Sequence, residues 1–250
     1  MSQIAFAHRS LSGNSILSRF DADEYYRLSR FSRTVDLEAQ QTLYAPGDEI
    51  AHAYFPVDCV ITSVATMNDG STVETAMVGR EGVAGISAAL GGFRARELTR
   101  VLLGGEALRV EASLLRELFN ESQVWQRLLL CYYSALINQV SRHAVCNTRH
   151  RLSERLCTWL LMLHDRAGRD DIGLTQAAAA RQLGVRRAGV NECVGQLQRA
   201  NVLGHSRGHI RILDRDALCV AACVCYKEFE QEMRWHDGLC KPIRAELKWR

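Results

Sequence analysis

The sequence predicts an α+β fold, and three observations carry that expectation. Residues 35–110 break into short apolar runs separated by turn residues, the texture of a small β domain. Residues 123–146 repeat apolar side chains at three- and four-residue steps, the texture of a long helix. Residues 174–213 read as two short helices about a glycine, followed by a hairpin. In order, these describe an N-terminal β-roll (a double-stranded jelly roll), a long helix and a C-terminal winged helix-turn-helix.

Length and composition fit that division. The chain has 250 residues, 47% hydrophobic and 24% charged, which excludes a collagen-like, low-complexity or largely disordered chain. No run approaches the roughly 18 apolar residues of a membrane-spanning helix, so no membrane partner is expected. The start, MSQIAFAHRSLSGNS, lacks the basic opening and apolar core of a signal peptide. A cytoplasmic protein is expected, its nine cysteines reduced rather than tied into a disulfide framework.

The formal net charge of +3 hides an asymmetry. Residues 1–150 carry 14 Lys and Arg against 16 Asp and Glu, a net of −2; residues 151–250 carry 17 against 12, a net of +5. Between Ile172 and Leu213 there are six arginines and a single acid, Glu192. Such a patch suits a phosphate-rich partner, although a solvated basic face has the same composition.

Taken in order, residues 1–17 show no periodicity and are expected to be loosely held. Ala22–Phe31 follows Asp21, a suitable N-cap, and spaces Tyr25, Leu28 and Phe31 as a helix would. Ala45-Pro46-Gly47-Asp48, Asn68-Asp69-Gly70 and Gly104-Gly105 punctuate the β region. Cys59–Ala65 and Thr72–Val78 are rich in β-branched residues, and Asn68-Asp69-Gly70 between them predicts a hairpin. Leu114–Asn120 predicts a short helix. In the long helix, Gln123–Cys146, the side chains of Leu128, Cys131, Tyr132, Ala135, Leu136, Gln139 and His143 share a face. Its first half is apolar over much of its circumference, so it must be covered on two sides, within the chain or by a second subunit. Asn147–Arg151 is a polar, basic break and the expected boundary. Leu152–Asp165 predicts another helix, and residues 167–171 a loop.

Leu174–Ala200 (LTQAAAARQLGVRRAGVNECVGQLQRA) carries the functional signal. Thr175 suits the N-cap of an Ala-rich helix ending at Leu183, and Gly184 supplies the tight turn. A second helix opens near Arg186. Ala180, Gly184 and Val190 have the spacing of a helix-turn-helix, in which a small residue lets the helices cross, glycine turns and valine packs back. Val190, Val194 and Leu197 form the inward stripe, which leaves Arg187, Ala188, Asn191, Glu192 and Gly195 outward. Val202-Leu203-Gly204 and Ile210-Arg211-Ile212-Leu213 flank a turn, His205–His209, and together predict a wing.

This segment, with RGHIRILD after it, resembles the winged-helix DNA-binding domain of the Crp/Fnr family of bacterial transcription regulators. The upstream order of β-roll, long helix and hinge agrees. The likeness extends over about residues 20–220 in architecture and is sequence-specific mainly over 150–215. It implies a cyclic-nucleotide-binding-like β-roll sensor domain over 20–122, a dimerisation helix over 123–147 and the winged helix over 148–217, with a helical extension over 218–250. It implies a homodimeric, sequence-specific regulator that binds double-stranded DNA at a palindromic operator, with RNA polymerase a further candidate partner. Thr175 and Gln176 are expected at phosphates, Arg186 and Arg187 at phosphate or base edges, Asn191 at adenine and Glu192 at cytosine. Arg187 is the choice for bidentate guanine recognition. Arg207 and His209 on the wing are expected to touch backbone. The family often has an acid after the second arginine; here Ala188 stands there, so no operator sequence carries over.

Cyclic-nucleotide-binding members of the family hold phosphate with a Gly-Glu-x-Gly turn and a later Arg-Ser pair. Gly79, Glu81 and Gly82 in VGREGVAG resemble the first element, and Arg96 in RARELTRV stands for the arginine. Glu97 occupies the expected serine position, where a carboxylate repels phosphate. The effector therefore stays open between a cyclic nucleotide, another ligand and none, and the glycines also read as a structural turn. Cys219, Cys223 and Cys225 raise redox or metal sensing, but on one helix only the first two share a face. They are read as small buried hydrophobes, and no metal site is assigned. No phosphate-cradling loop, nucleophile elbow, HExxH or acid–base pair points to an enzyme. The alternative function is a cyclic-nucleotide or other small-ligand-binding regulatory protein without DNA readout.

Overall fold

The computed structural model describes residues 13–20, 22–206 and 208–239. After a short helix, α1 (Ala22–Ser29), come seven strands: β1 (Ser32–Leu37), β2 (Thr42–Tyr44), β3 (His52–Pro56), β4 (Val60–Thr66), β5 (Thr72–Val78), β6 (Leu98–Leu103) and β7 (Gly105–Glu111). They pair antiparallel in two sheets, β1-β7-β3 and β2-β6-β4-β5. The expected hairpin joins β4 and β5, where Asp69 accepts hydrogen bonds from the Ser71 backbone and hydroxyl. Phe55, Ile61, Leu115, Leu118, Trp125 and Leu129 lie at the centre of the first core. The last four of those come from α2 (Ala112–Glu121) and α3 (Gln123–Arg149), and the first two from β3 and β4.

Helix α3 starts on Ser122, whose hydroxyl accepts from the Trp125 amide. One face, including Trp125, Leu128, Leu129, Tyr132, Ala135 and Gln139, is buried. The face bearing Leu130, Tyr133, Ile137 and Val140 is open, at 46, 39, 45 and 38% exposure. Then follow α4 (Leu152–Ala167), β8 (Asp171–Ile172), α5 (Gln176–Leu183), α6 (Arg187–Arg199), β9 (Leu203–Ser206), β10 (His209–Ile212), α7 (Arg215–Ala221) and α8 (Cys225–Leu239). Strands β8, β10 and β9 form a small antiparallel sheet. A second apolar core merges Leu156, Leu160, Val190 and Ile210 of this half with Val60, Met77, Leu102 and Leu103 of the β-roll. The two halves are therefore packed together rather than strung on a free linker.

Four local expectations change. Residues 14–17 are held, not loose: Asn14 is fully buried and donates to the Pro56 and Gly82 carbonyls, with Ile16 and Leu17 buried beside it. Helix α1 stops at Ser29 and leaves Phe31 exposed, so Phe31 does not join the helical stripe; the Asp21 cap lies outside the described residues. The break at 147–151 shrinks to His150 and Arg151, because α3 continues to Arg149 and Glu154 then accepts from the Arg151 amide to start α4. Asp171, expected as the end of a loop, opens a two-residue strand, since Ile172 beside it is fully buried and pairs with Ile210.

Candidate nucleic-acid interface

The helix-turn-helix assembles as its spacing requires. The Thr175 hydroxyl accepts from the Ala178 amide at 3.0 Å and caps α5. Gly184 ends α5 with φ +64°, a conformation that side chains with a Cβ rarely adopt. A Cβ there would also press to 3.2 Å on Val73 of β5, against which the turn packs. Ala180, Val190 and Val194 are buried between the helices, and Leu197 is partly buried against the same core.

What remains outward is the face named from the sequence. Arg187, Asn191 and Glu192 on α6 are exposed, as are Arg186 at its N-cap and Thr175 at the start of α5, while Gln176 is half-buried. Among the described residues no carboxylate pairs with Arg186 or Arg187. Two unpaired guanidiniums at a helix N-terminus make a strongly anion-attracting edge. His209 is exposed on the wing, its Nδ1 2.9 Å from the Asp171 carboxylate, which fixes the ring at the wing base. Arg207 lies outside the described residues. Sequence reasoning missed Arg211: β10 alternates exposed and buried, which puts Arg211 on the same open face as His209. The alternation of Ile210-Arg211-Ile212 was the available signal.

Of the four residues assigned to an effector, Gly79, Glu81 and Gly82 share one hydrogen-bonded turn, and Arg96 makes no bond to it among the described residues. The Glu81 carboxylate is buried and accepts from Arg166 Nε at 2.7 Å and from the Gly79 amide at 3.1 Å. Arg166 belongs to α4, so the acid expected beside a ligand instead ties the β-roll to the winged half. A Cβ on Gly82 would lie 2.2 Å from the Tyr132 ring of α3, so the glycine there makes room for a side chain of its own chain. Arg96 is exposed, with no hydrogen bond to Gly79, Glu81 or Gly82 among the described residues, and Glu97 accepts from the Thr75 hydroxyl. Nearby, Glu74 of β5 is buried between the halves and accepts from the Thr62 hydroxyl and from Trp159 Nε1 of α4. Burial pushes its carboxyl up to about 7. A cavity of about 440 Å³ opens beside Glu81, lined also by Tyr132, Gln139, Arg142, Arg166 and Phe229.

Residues 154–221 match the family model of the Crp-like helix-turn-helix domain. That segment is a Crp-like helix-turn-helix domain. The fold of the chain is shared with solved structures of Crp/Fnr proteins at low sequence identity. FixK2 from Bradyrhizobium japonicum is 18% identical, with a TM-score of 0.66 over 77% of this chain and 98% of that one. The transcriptional regulator TTHB099 of Thermus thermophilus is 18% identical, with a TM-score of 0.63 over 75% and 96%. The c-di-GMP-responsive regulator CLP of Xanthomonas campestris is 16% identical, with a TM-score of 0.60 over 77% and 99%. A search of curated proteins by sequence finds no match. No helix among the described residues is long and apolar enough to cross a membrane.

Proposed function

We propose that this Crp/Fnr-type regulator binds a palindromic DNA site as a homodimer, with α6 in the major groove of each half-site. The observation that carries this is the outward face of α6, where Arg187, Asn191 and Glu192 are exposed and the Arg186–Arg187 edge has no acidic partner among the described residues. Arg187 is the residue for bidentate guanine contact, Asn191 and Glu192 read neighbouring bases, and Thr175, Gln176, Arg211 and His209 hold phosphates. Pairing of two chains is supported by the open face of α3. Leu130, Tyr133, Ile137 and Val140 stand three, four and three residues apart, the seam spacing of a coiled coil, and a second copy supplies the matching seam.

Signal input is read at the contact between the halves rather than at a phosphate cradle. Gly79, Glu81 and Gly82 are engaged by Arg166 and Tyr132, so a cyclic nucleotide held by that turn is not favoured. The room for a small effector is the cavity of about 440 Å³ along α3, where occupancy would bear directly on the Glu81–Arg166 tie. A ligand-binding protein without DNA readout has no use for an exposed arginine edge on a helix-turn-helix. Selection of bound duplexes from a random pool by the full chain tests the reading. An inverted repeat with half-sites about one helical turn apart is expected. Enrichment of unrelated sequences with equal affinity and a steep salt dependence would sink it.

A further inference from the structure

The cysteines singled out in the sequence do not cluster as three. Helix α7 ends at Ala221 and Ala222 is extended, so Cys219 and Cys223 do not share a helical face. Cys219 instead lies by the Arg215 guanidinium. Cys223 and Cys225, at the turn between α7 and α8, meet Cys146 in the last turns of α3 and His150, which caps that helix. The four ligand atoms all lie within 4.8 Å of one another. Cys146 Sγ is 3.5 Å from Cys223 Sγ, and His150 Nδ1 is 3.6 Å from Cys225 Sγ. The three cysteines are buried and the histidine is half-buried.

We infer that Cys146, His150, Cys223 and Cys225 form a tetrahedral site for one divalent ion of the zinc class. Bond lengths of about 2.3 Å to sulfur and about 2.0 Å to nitrogen put neighbouring sulfurs about 3.8 Å apart, and sulfur and nitrogen about 3.5 Å apart. The two pairs observed already stand close to those edges. A cluster of several irons would hold its thiolates on separate metals and spread them farther than these four atoms are spread. Three thiolates and one imidazole are a closed set suited to a borderline-soft ion, with no position left for a reacting water.

The surroundings fit a metal-bound thiolate set. The Thr158 hydroxyl lies 3.0 Å from Cys223 Sγ and also accepts from the Cys223 amide, so it orients that sulfur from behind. Three thiolates around a dication leave one negative charge, and Arg155 of α4 is near enough to interact with both Cys146 and Cys223. The ligands come from the end of α3, from the hinge and from the segment that leaves the winged helix. The ion would therefore fasten the hinge itself.

The test uses the full-length protein, stripped with a chelator under reducing conditions and titrated with Co²⁺. One equivalent per chain is expected, with the intense visible bands of tetrahedral cobalt and a thiolate charge-transfer band, both displaced by Zn²⁺. Cys223→Ser and Cys225→Ser should each weaken cobalt binding by about 100-fold or more, and Cys219→Ser should not change it. His150→Cys keeps four ligands and should strengthen the charge-transfer band, which separates ligand loss from misfolding. Absence of tetrahedral cobalt bands overturns the proposal. So does iron with acid-labile sulfide in the purified protein, a native Cys146–Cys223 disulfide that excludes metal, or equal weakening by Cys219→Ser.

Discussion

Two arginine-bearing sites in this chain hold their charge in opposite ways. At the start of α6, Arg186 and Arg187 are exposed and meet no carboxylate among the described residues. Behind the glycine turn, the Arg166 and Glu81 side chains are only 6 and 7% exposed and bound to each other. An exposed, unpaired guanidinium keeps its donors for a phosphate or a base edge, and association supplies the partner. A buried pair has its partner already, and removing either member strands the other in a medium that solvates it poorly. The same residue type is thus open to a partner in one place and a fastening in the other, and burial decides which.

The sharpest way to break the comparison is to cut the buried pair. Glu81→Ala should lower the unfolding free energy by about 3–5 kcal/mol, read from urea denaturation, because Arg166 is left buried and uncompensated. An unchanged denaturation midpoint with lost ligand response would make Glu81 an effector residue after all. Next in size, Arg187→Ala should weaken binding to the selected DNA by about 1–3 kcal/mol and relax preference at one base position, with stability unchanged. Uniform weakening across all sequences would move Arg187 to a phosphate role.

The smallest effect concerns pH. Glu74 is raised from 4.5 to about 7 by burial, against the opposing pull of its hydrogen bonds from Thr62 and Trp159 and of the charges on Arg166 and Arg100. Between those values the folded chain holds a proton that the unfolded chain has released. Its contribution is complete below about 4.5 and is lost as pH rises through 7. His143, which packs edge-on against Phe229, is pushed down from 6.5 to about 4 by burial and works in the opposite sense, losing stability as pH falls. The two slopes oppose each other between about 4.5 and 6.5, and Glu74 alone acts just above. Glu74→Gln should flatten the stability profile near neutrality by about 1–2 kcal/mol, measured as Tm against pH.

The winged helix was legible because its determinants are local. The cap at Thr175, the turn at Gly184 and the stripe of Val190 and Val194 interact within one short segment, so residue type and spacing specify the geometry. The β4–β5 hairpin was legible for the same reason. The glycine turn of the β-roll was not. Its meaning depends on Arg166, 85 residues beyond Glu81, and on Tyr132 filling the space above Gly82. A motif read alone shows what a residue could hold, not what the fold has already given it. Cys146 and Cys223 are likewise 77 residues apart and meet only because the winged half closes back on α3.

That closure has a mechanical consequence. His150 and Cys225 face each other across 3.6 Å, so the winged half departs from the long helix and comes back to it at nearly one place. The buried Glu81–Arg166 pair is a second fastening, at the far end of α4, so the winged half is clamped while that pair holds and is freed to turn about His150 only if it opens. Arg155, in the first turns of α4, donates to the Leu183 carbonyl at 2.8 Å and so links the pivot to the turn between α5 and α6. With that second fastening released, small angular changes at the pivot would be magnified along α4 as along a lever arm. In the proposed dimer, the spacing between the two α6 helices is then set where the arm is hinged, far from any base.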